Sequence, residues 1–197
     1  ARYMELLKAA YTAIKAANPD MIVISGAMTP TGAPPPVAMD DVQYLQAMYA
    51  NGLKNYSDAI GAHPSGFANP PDAKLPEGNL PNKGYDDHRS FFFRMTMESY
   101  RNIMVQNGDG NKTIWPTEFG WPVLRYDDGR FPFAAENSLE TQAQYTVRAY
   151  QMMKSWGWVG TAFLWNLDYN VTAAGTELSN FGILGQPAYD ALANMPK

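Results

Sequence analysis

Four short stretches of this chain end in side chains that could do chemistry together: Ser25-Gly26, His63-Pro64-Ser65, Glu118-Phe119-Gly120-Trp121 and Trp165-Asn166. Each closes an apolar run. Glu118 is the sharpest of them, because TIWPTEFGW (113–121) delivers a carboxylate at the end of a strand-like segment and then surrounds it with rings. Such a glutamate can cap a helix or pair with a cation. It can also be a nucleophile, held ionised by hydrogen bonds from Tyr, His or Asn while one oxygen faces a substrate. Attack on an anomeric carbon would then give a covalent glycosyl ester, with the neighbouring rings packed on sugar faces.

The other residues take their meaning from Glu118. His63 stands before Pro64 at a strand end, where it is either a structural histidine or a donor to Glu118 or to a sugar hydroxyl. Trp165 is either core or a stacking platform, and Asn166 adds an amide beside it. Phe119 and Trp121 are pocket walls or loop packing. His88 lies near a helix start and reads as a surface or capping residue, and Asp127 and Asp128 read as solvated turn residues. Two distant histidines without HxH or HExxH spacing give no catalytic metal site, so no metal or cofactor is expected. Ser25 has no GxSxG elbow, and no GxGxxG or phosphate-cradling loop is present.

These groups meet only if the elements behind them are arranged to bring them together. Residues 2–17 place Tyr3, Leu7, Ala10, Ile14 and Ala17 at helical spacing, and Asn18-Pro19-Asp20 ends that helix. MIVISGA (21–27) is a short apolar run, as in a strand buried on both faces. Asp40 or Asp41 caps a second helix ending near Gly52. SDAIGAHP (57–64) is the next strand, followed by a long polar, proline-rich loop to about Asp87. A third helix to Gln106 offers Phe92, Met95, Tyr100, Ile103 and Met104 to the core. TIWPTE is the third strand. Asn137 with Glu140 three residues on suggests a capping box for a fourth helix to Trp156. VGTAFLWNL (159–167) is the fourth strand, and PAYDALANM (187–195) a last short helix.

Helices thus alternate strictly with short apolar strands, which predicts parallel strands joined by right-handed crossovers. A doubly wound sheet and part of a (β/α)₈ barrel both fit. The long loops follow strands while the helix-to-strand turns are short, which favours the barrel, where such loops build the active site. The expectation is one domain over residues 1–197: a partial (β/α)₈ TIM barrel of about four βα units, a half-barrel. Its open strand edges and exposed inner face predict a homodimer or related oligomer.

The bulk numbers allow this reading. The 197 residues suffice for one domain with a sizeable core. A net charge of -4 without a basic stripe argues against nucleic acid as the main partner. No run of about 18 apolar residues predicts a membrane span. Cysteine is absent, which removes disulfides and thiol chemistry. No signal peptide is visible, and secretion is not shown by any residue here; the chain opens on Ala1 rather than Met, which leaves room for a leader or a larger upstream segment.

TEFGW, AHPSGF and FLWNL together resemble the last three strands of clan A retaining glycoside hydrolases, most closely family 39 and family 5-like bacterial glycosidases. The opening ARYMELLKAAYTAIKAANPDMIVISGA resembles the helix after strand four followed by strand five, so the resemblance covers nearly the whole chain. It implies a (β/α)₈ fold and cleavage of β-linked glycosides with retention, Glu118 matching the nucleophile. His63 and Trp165 match residues that line the sugar site. Related sequences often carry Tyr after His-Pro, where this chain has Ser65. The family's acid/base glutamate ends strand four in an Asn-Glu motif, which is expected shortly upstream of Ala1. Glu5 and Glu77 are poor substitutes, one on the first helix and one in the proline-rich loop. The expected activity is therefore that of a C-terminal half carrying the nucleophile without its acid. A non-catalytic half-barrel that binds carbohydrate or self-assembles is the alternative.

Overall fold

The computed structural model describes residues 2–76, 83–127 and 129–196; Glu77 and Asp128 lie outside the described residues. The alanine-rich first segment forms α1 (Arg2–Ala17). Met4 and Leu7 are its buried residues, while Tyr3, Tyr11 and Ile14 pack partly against the core and Ala17 is exposed. Helix α2 (Asp41–Ala50) is capped by Asp40, whose carboxylate accepts from Gln43 N. Helix α3 (Phe93–Gln106) starts later than its sequence suggests, because Arg89–Phe91 first form a 3₁₀ turn.

Helix α4 (Leu139–Trp156) corrects the expected cap. Its N-cap is Ser138, which accepts from Thr141 N while Thr141 Oγ1 accepts from Ser138 N, and Asn137 lies one residue outside. The last helix, α5 (Pro187–Ala193), packs on α4. None of the described helices is long and apolar enough to cross a membrane.

Among the described residues, two segments have full strand geometry, β1 (Ala59–Ala62) and β2 (Thr113–Pro116), paired in parallel from Ala59↔Thr113 to Ala62↔Pro116. The expected first and fourth strands are shorter and looser than their apolar runs suggest. They join the sheet through isolated parallel bridges: Ile24↔Ala59 and Met28↔Ala62 on one flank, Ile114↔Val159 and Phe119↔Leu164 on the other. A single ladder partner leaves each of these outer segments half of its backbone groups to satisfy elsewhere. The four segments nevertheless lie side by side in chain order, all parallel. Consecutive barrel strands have this order, whereas a doubly wound sheet reverses direction at its switch point.

One face of the sheet is packed. Ile60 and Ile114 sit with Leu45, Phe93, Met97, Tyr100 and Met104 in a dry core between the sheet and helices α2 and α3. Fully burying one such side chain contributes about 1.5–3 kcal/mol, so this layer carries most of the stability. The other face is open. Trp115 alternates with buried Ile114 and Pro116 and is half-buried beside Phe163, while Ile22 and Phe163 are 54% and 47% exposed.

Candidate active site

The C-terminal ends of the four segments converge on a pocket of about 280 Å³. Thr29, His63, Ser65, Glu118, Phe119 and Trp165 all line it. The structure thus brings together five of the residues singled out in the sequence, His63, Ser65, Glu118, Phe119 and Trp165, and adds Thr29.

Glu118 lies two residues past the end of β2, and its side chain is 44% exposed with Oε2 3.7 Å from His63 Nδ1. That is ion-pair distance rather than a hydrogen bond. The imidazole is fixed from both sides, Nδ1 lying 3.1 Å from Thr29 Oγ1 and Nε2 2.9 Å from Thr117 Oγ1. Burial lowers the His63 pKa below its ordinary 6.5, and the Glu118 carboxylate pulls it partly back. Near neutral pH the ring is therefore uncharged. In the tautomer where the Thr117 hydroxyl donates to Nε2, the Nδ1 proton points at Thr29 and Glu118, as a donor to a carboxylate requires. Thr29 and Thr117 carry no motif; only their place one turn or one residue from a site group marks them.

Trp165 is half-buried and stands beside Tyr169 with ring centroids 5.1 Å apart. A cis peptide joins it to Asn166. Its strand segment runs close to the Glu118 segment, with Trp165 N donating to Phe119 O at 2.8 Å. Gly120 makes that approach possible, since a Cβ there would lie 2.3 Å from the Trp165 carbonyl oxygen.

Two expected pocket residues are placed elsewhere. Trp121 is 1% exposed, packs among Phe93, Phe119 and Tyr145, and donates from Nε1 to Asn69 O at 2.9 Å. An indole following a buried strand is taken up by the core before it can reach the pocket. Trp121 instead anchors the loop after β1, and a Cβ on Gly66 would collide with its ring at 2.4 Å. Asn166 is also buried; its Nδ2 donates at 3.2 Å to the carbonyl of Leu178, a wall residue, while its Oδ1 has no partner. His88 caps the 3₁₀ turn, its ring nitrogen accepting from Ser90 N, and lies outside the pocket.

The far wall was not apparent in the sequence. It consists of Phe67 from the loop after β1, Phe131 and Phe133 from the loop before α4, and Phe181 from the 3₁₀ turn Glu177–Phe181. Phe67 holds a left-handed backbone (φ 56), which costs a non-glycine residue about 1–3 kcal/mol. Its surroundings hold it there. Its N–H donates to Ser65 Oγ at 3.3 Å, and its carbonyl accepts from Asn137 Nδ2 at 3.0 Å. Ser65, which stands where related sequences carry Tyr, thus serves the loop.

Three buried or half-buried asparagines tie these loops together. Asn137 Nδ2 also donates to Pro122 O at 3.0 Å, and Asn69 Nδ2 donates to Tyr85 O and Phe91 O at 3.2 and 3.0 Å. Asn180 Oδ1 accepts from Arg125 N and Tyr126 N, each at 2.9 Å, while its Nδ2 donates to Tyr126 O at 2.8 Å. Asparagine mimics a backbone amide, and nothing in its sequence spacing announces that use.

Among the described residues lining the pocket, Glu118 is the single carboxylate. Glu177, next to wall residue Leu178, is buried and paired with Arg130. Glu5 is exposed on α1.

No family model and no curated protein matches the sequence. Solved structures do. A family 39 glycoside hydrolase from the gut symbiont Bacteroides cellulosilyticus WH2 matches with a TM-score of 0.65 at 21% identity, over 96% of this chain and 36% of that one. The chain thus spans about a third of that structure's length, and the likeness is one of fold. A GH113 β-1,4-mannanase (TM-score 0.41, 15% identity, 96% of this chain and 60% of that one) and an endo-laminarinase from Formosa (0.44, 16%, 92% and 49%) also match. The chain's fold is thus like that of part of the family 39 structure.

Proposed function

We propose that this chain is the nucleophile-bearing part of a retaining β-glycosidase, with residues 1–197 forming four βα units of a (β/α)₈ barrel. The observation that carries this reading is the placement of Glu118. A half-exposed carboxylate at the C-terminal end of a parallel strand, 3.7 Å from an uncharged imidazole, faces an aromatic pocket. Glu118 attacks the anomeric carbon as the glycosidic C–O bond breaks, and a covalent glycosyl ester forms. His63 stands beside the carboxylate with its Nδ1 held by Thr29, and Trp165 packs against the sugar.

Retaining chemistry needs a second carboxyl group about 5–5.5 Å away, to protonate the leaving oxygen and then to deprotonate water. That group belongs to barrel units outside this chain. The open inner face supports the same view, since Ile22 and Phe163 are apolar residues left about half exposed. The same exposure also supports a second reading, in which two copies cover each other and the assembly binds carbohydrate without efficient catalysis. Light scattering separates the two: a monomeric chain removes the second.

The test of the first reading uses a substrate that needs no acid. Dinitrophenolate leaves without protonation, so a panel of dinitrophenyl β-glycosides should give one equivalent of dinitrophenolate per chain and then stall. Azide, an anionic nucleophile that needs no general base, should restart turnover and release β-glycosyl azide. Both should vanish in Glu118→Gln. Release that persists unchanged in Glu118→Gln would refute the assignment. Silence in both proteins, with the fold intact, would favour the binding reading.

A further inference from the structure

The polar side chains of the pocket, Thr29, His63, Ser65 and Glu118, are few beside its aromatic lining. Thr29 Oγ1 and both ring nitrogens of His63 are engaged with one another or with Thr117, and Ser65 Oγ accepts from Phe67 N–H. The hydroxyls of Thr29 and Ser65 keep capacity for a sugar's hydroxyls on this side, whereas the far wall has none to offer.

What it offers instead is a continuous phenylalanine surface. Phe67 meets Phe133 at 4.7 Å, Phe133 meets Phe131 at 5.4 Å, and Phe131 meets Phe181 at 5.9 Å, with interplanar angles of 67°, 53° and 90°. Tilted and edge-to-face contacts of this kind are the favoured packing of aromatic rings with one another, and a further flat ring extends the same pattern. Sugars prefer a single ring face rimmed by hydrogen-bonding groups, which Trp165 supplies better than the phenylalanines. The wall is also rigid, since Asn137, Asn180 and Trp121 fix the loops that carry it. Size agrees: an apolar cavity of about 150 Å³ suffices for benzene, and the pocket measures about 280 Å³.

We propose that the site takes aryl glycosides, the sugar lying between Glu118 and Trp165 and the aryl group seated against Phe67, Phe131, Phe133 and Phe181. The inference deepens the glycosidase reading and rests on it for the identity of the sugar side. It makes the substrate a conjugate of a sugar with an aromatic alcohol.

The test is a binding comparison on this chain, read by calorimetry and by saturation-transfer NMR, using phenyl and methyl β-glycosides of glucose, xylose and mannose. For at least one sugar the phenyl glycoside should bind roughly tenfold or more tightly than the methyl glycoside, a ratio in the range one hydrophobic contact can give. Its phenyl protons should receive saturation from the protein. Phe131→Ser and Phe181→Ser, both at half-buried positions, should bring the ratio close to one with an unchanged circular dichroism spectrum. If either variant fails to fold, the wild-type saturation transfer still decides.

Equal affinities for the two glycosides, no binding of either, or a preference that survives in both folded variants would overturn the inference. Reaction at Glu118 is measured separately. Reaction without phenyl preference would remove this inference alone. Phenyl preference without reaction would support the aryl pocket and count against the catalytic reading.

Discussion

On the helix side of the sheet, Ile60, Ile114 and Phe93 are fully buried, and Trp121 locks the neighbouring loop at 1% exposure; on the opposite side, Ile22 and Phe163 remain about half exposed. The residue types on the two faces are alike. Parallel strands covered on both sides carry apolar residues at successive positions, and MIVI (21–24) does so here. The sequence is therefore written for two covered faces, and this chain covers one. The packed face supplies the stability that holds Glu118 and the aromatic wall in place. On the glycosidase reading proposed above, the open face is where the rest of the site attaches.

Substitutions on the two faces should separate these roles. The largest effect is expected for Trp121→Ala, which empties a dry part of the core and releases the loop carrying Phe67. Urea unfolding should show a loss of about 3–5 kcal/mol. Asn137→Ala comes next. It leaves two carbonyls, of Phe67 and Pro122, without their donor, for a loss of about 1–3 kcal/mol in the same assay. On the open face, Ile22→Ser and Phe163→Ser should each change unfolding by no more than about 0.5 kcal/mol while reducing self-association in sedimentation. A core-sized loss at either position would mean that this face is already packed, and the contrast would collapse.

The smallest effect concerns His63. Burial holds its folded pKa below 6.5, so the native state binds fewer protons than the unfolded chain in that region. Its contribution is fully present above about pH 6.5 and is lost as pH falls through that value toward the folded pKa. The NMR titration midpoint of His63 should lie below 6.5. His63→Gln should show a shallower loss of unfolding free energy than wild type between about pH 7.5 and about pH 5. A midpoint above 6.5 would show that the Glu118 charge outweighs burial, and the imidazole would then be a cation beside the carboxylate.

What could be read from the sequence follows the same division. Helices announced themselves through apolar spacing and caps, and strand ends through short apolar runs, so Glu118, His63 and Trp165 could be placed on one rim before any coordinates. The outer strands came out shorter than their apolar runs because ladder pairing depends on neighbours that a run of residues does not report. Trp121 and Asn166 stand beside site residues in the sequence and so read as pocket candidates, whereas the core takes both side chains inward. The cap of α4 falls on Ser138, while Asn137 one residue before it donates its Nδ2 to two loop carbonyls. The phenylalanine wall depends on loops held by asparagine side chains and on a left-handed Phe67, and neither leaves a periodic trace.

The central claim is that Glu118 forms a covalent bond with a sugar, and intact-mass spectrometry tests it most directly. The chain would be incubated with dinitrophenyl β-glycosides fluorinated at the sugar's second carbon, which slows breakdown of the glycosyl ester. The account predicts a mass increase of one fluoroglycosyl unit, located on the peptide carrying Glu118 and absent in Glu118→Gln. A label on another residue, or equal labelling of Glu118→Gln, would contradict it.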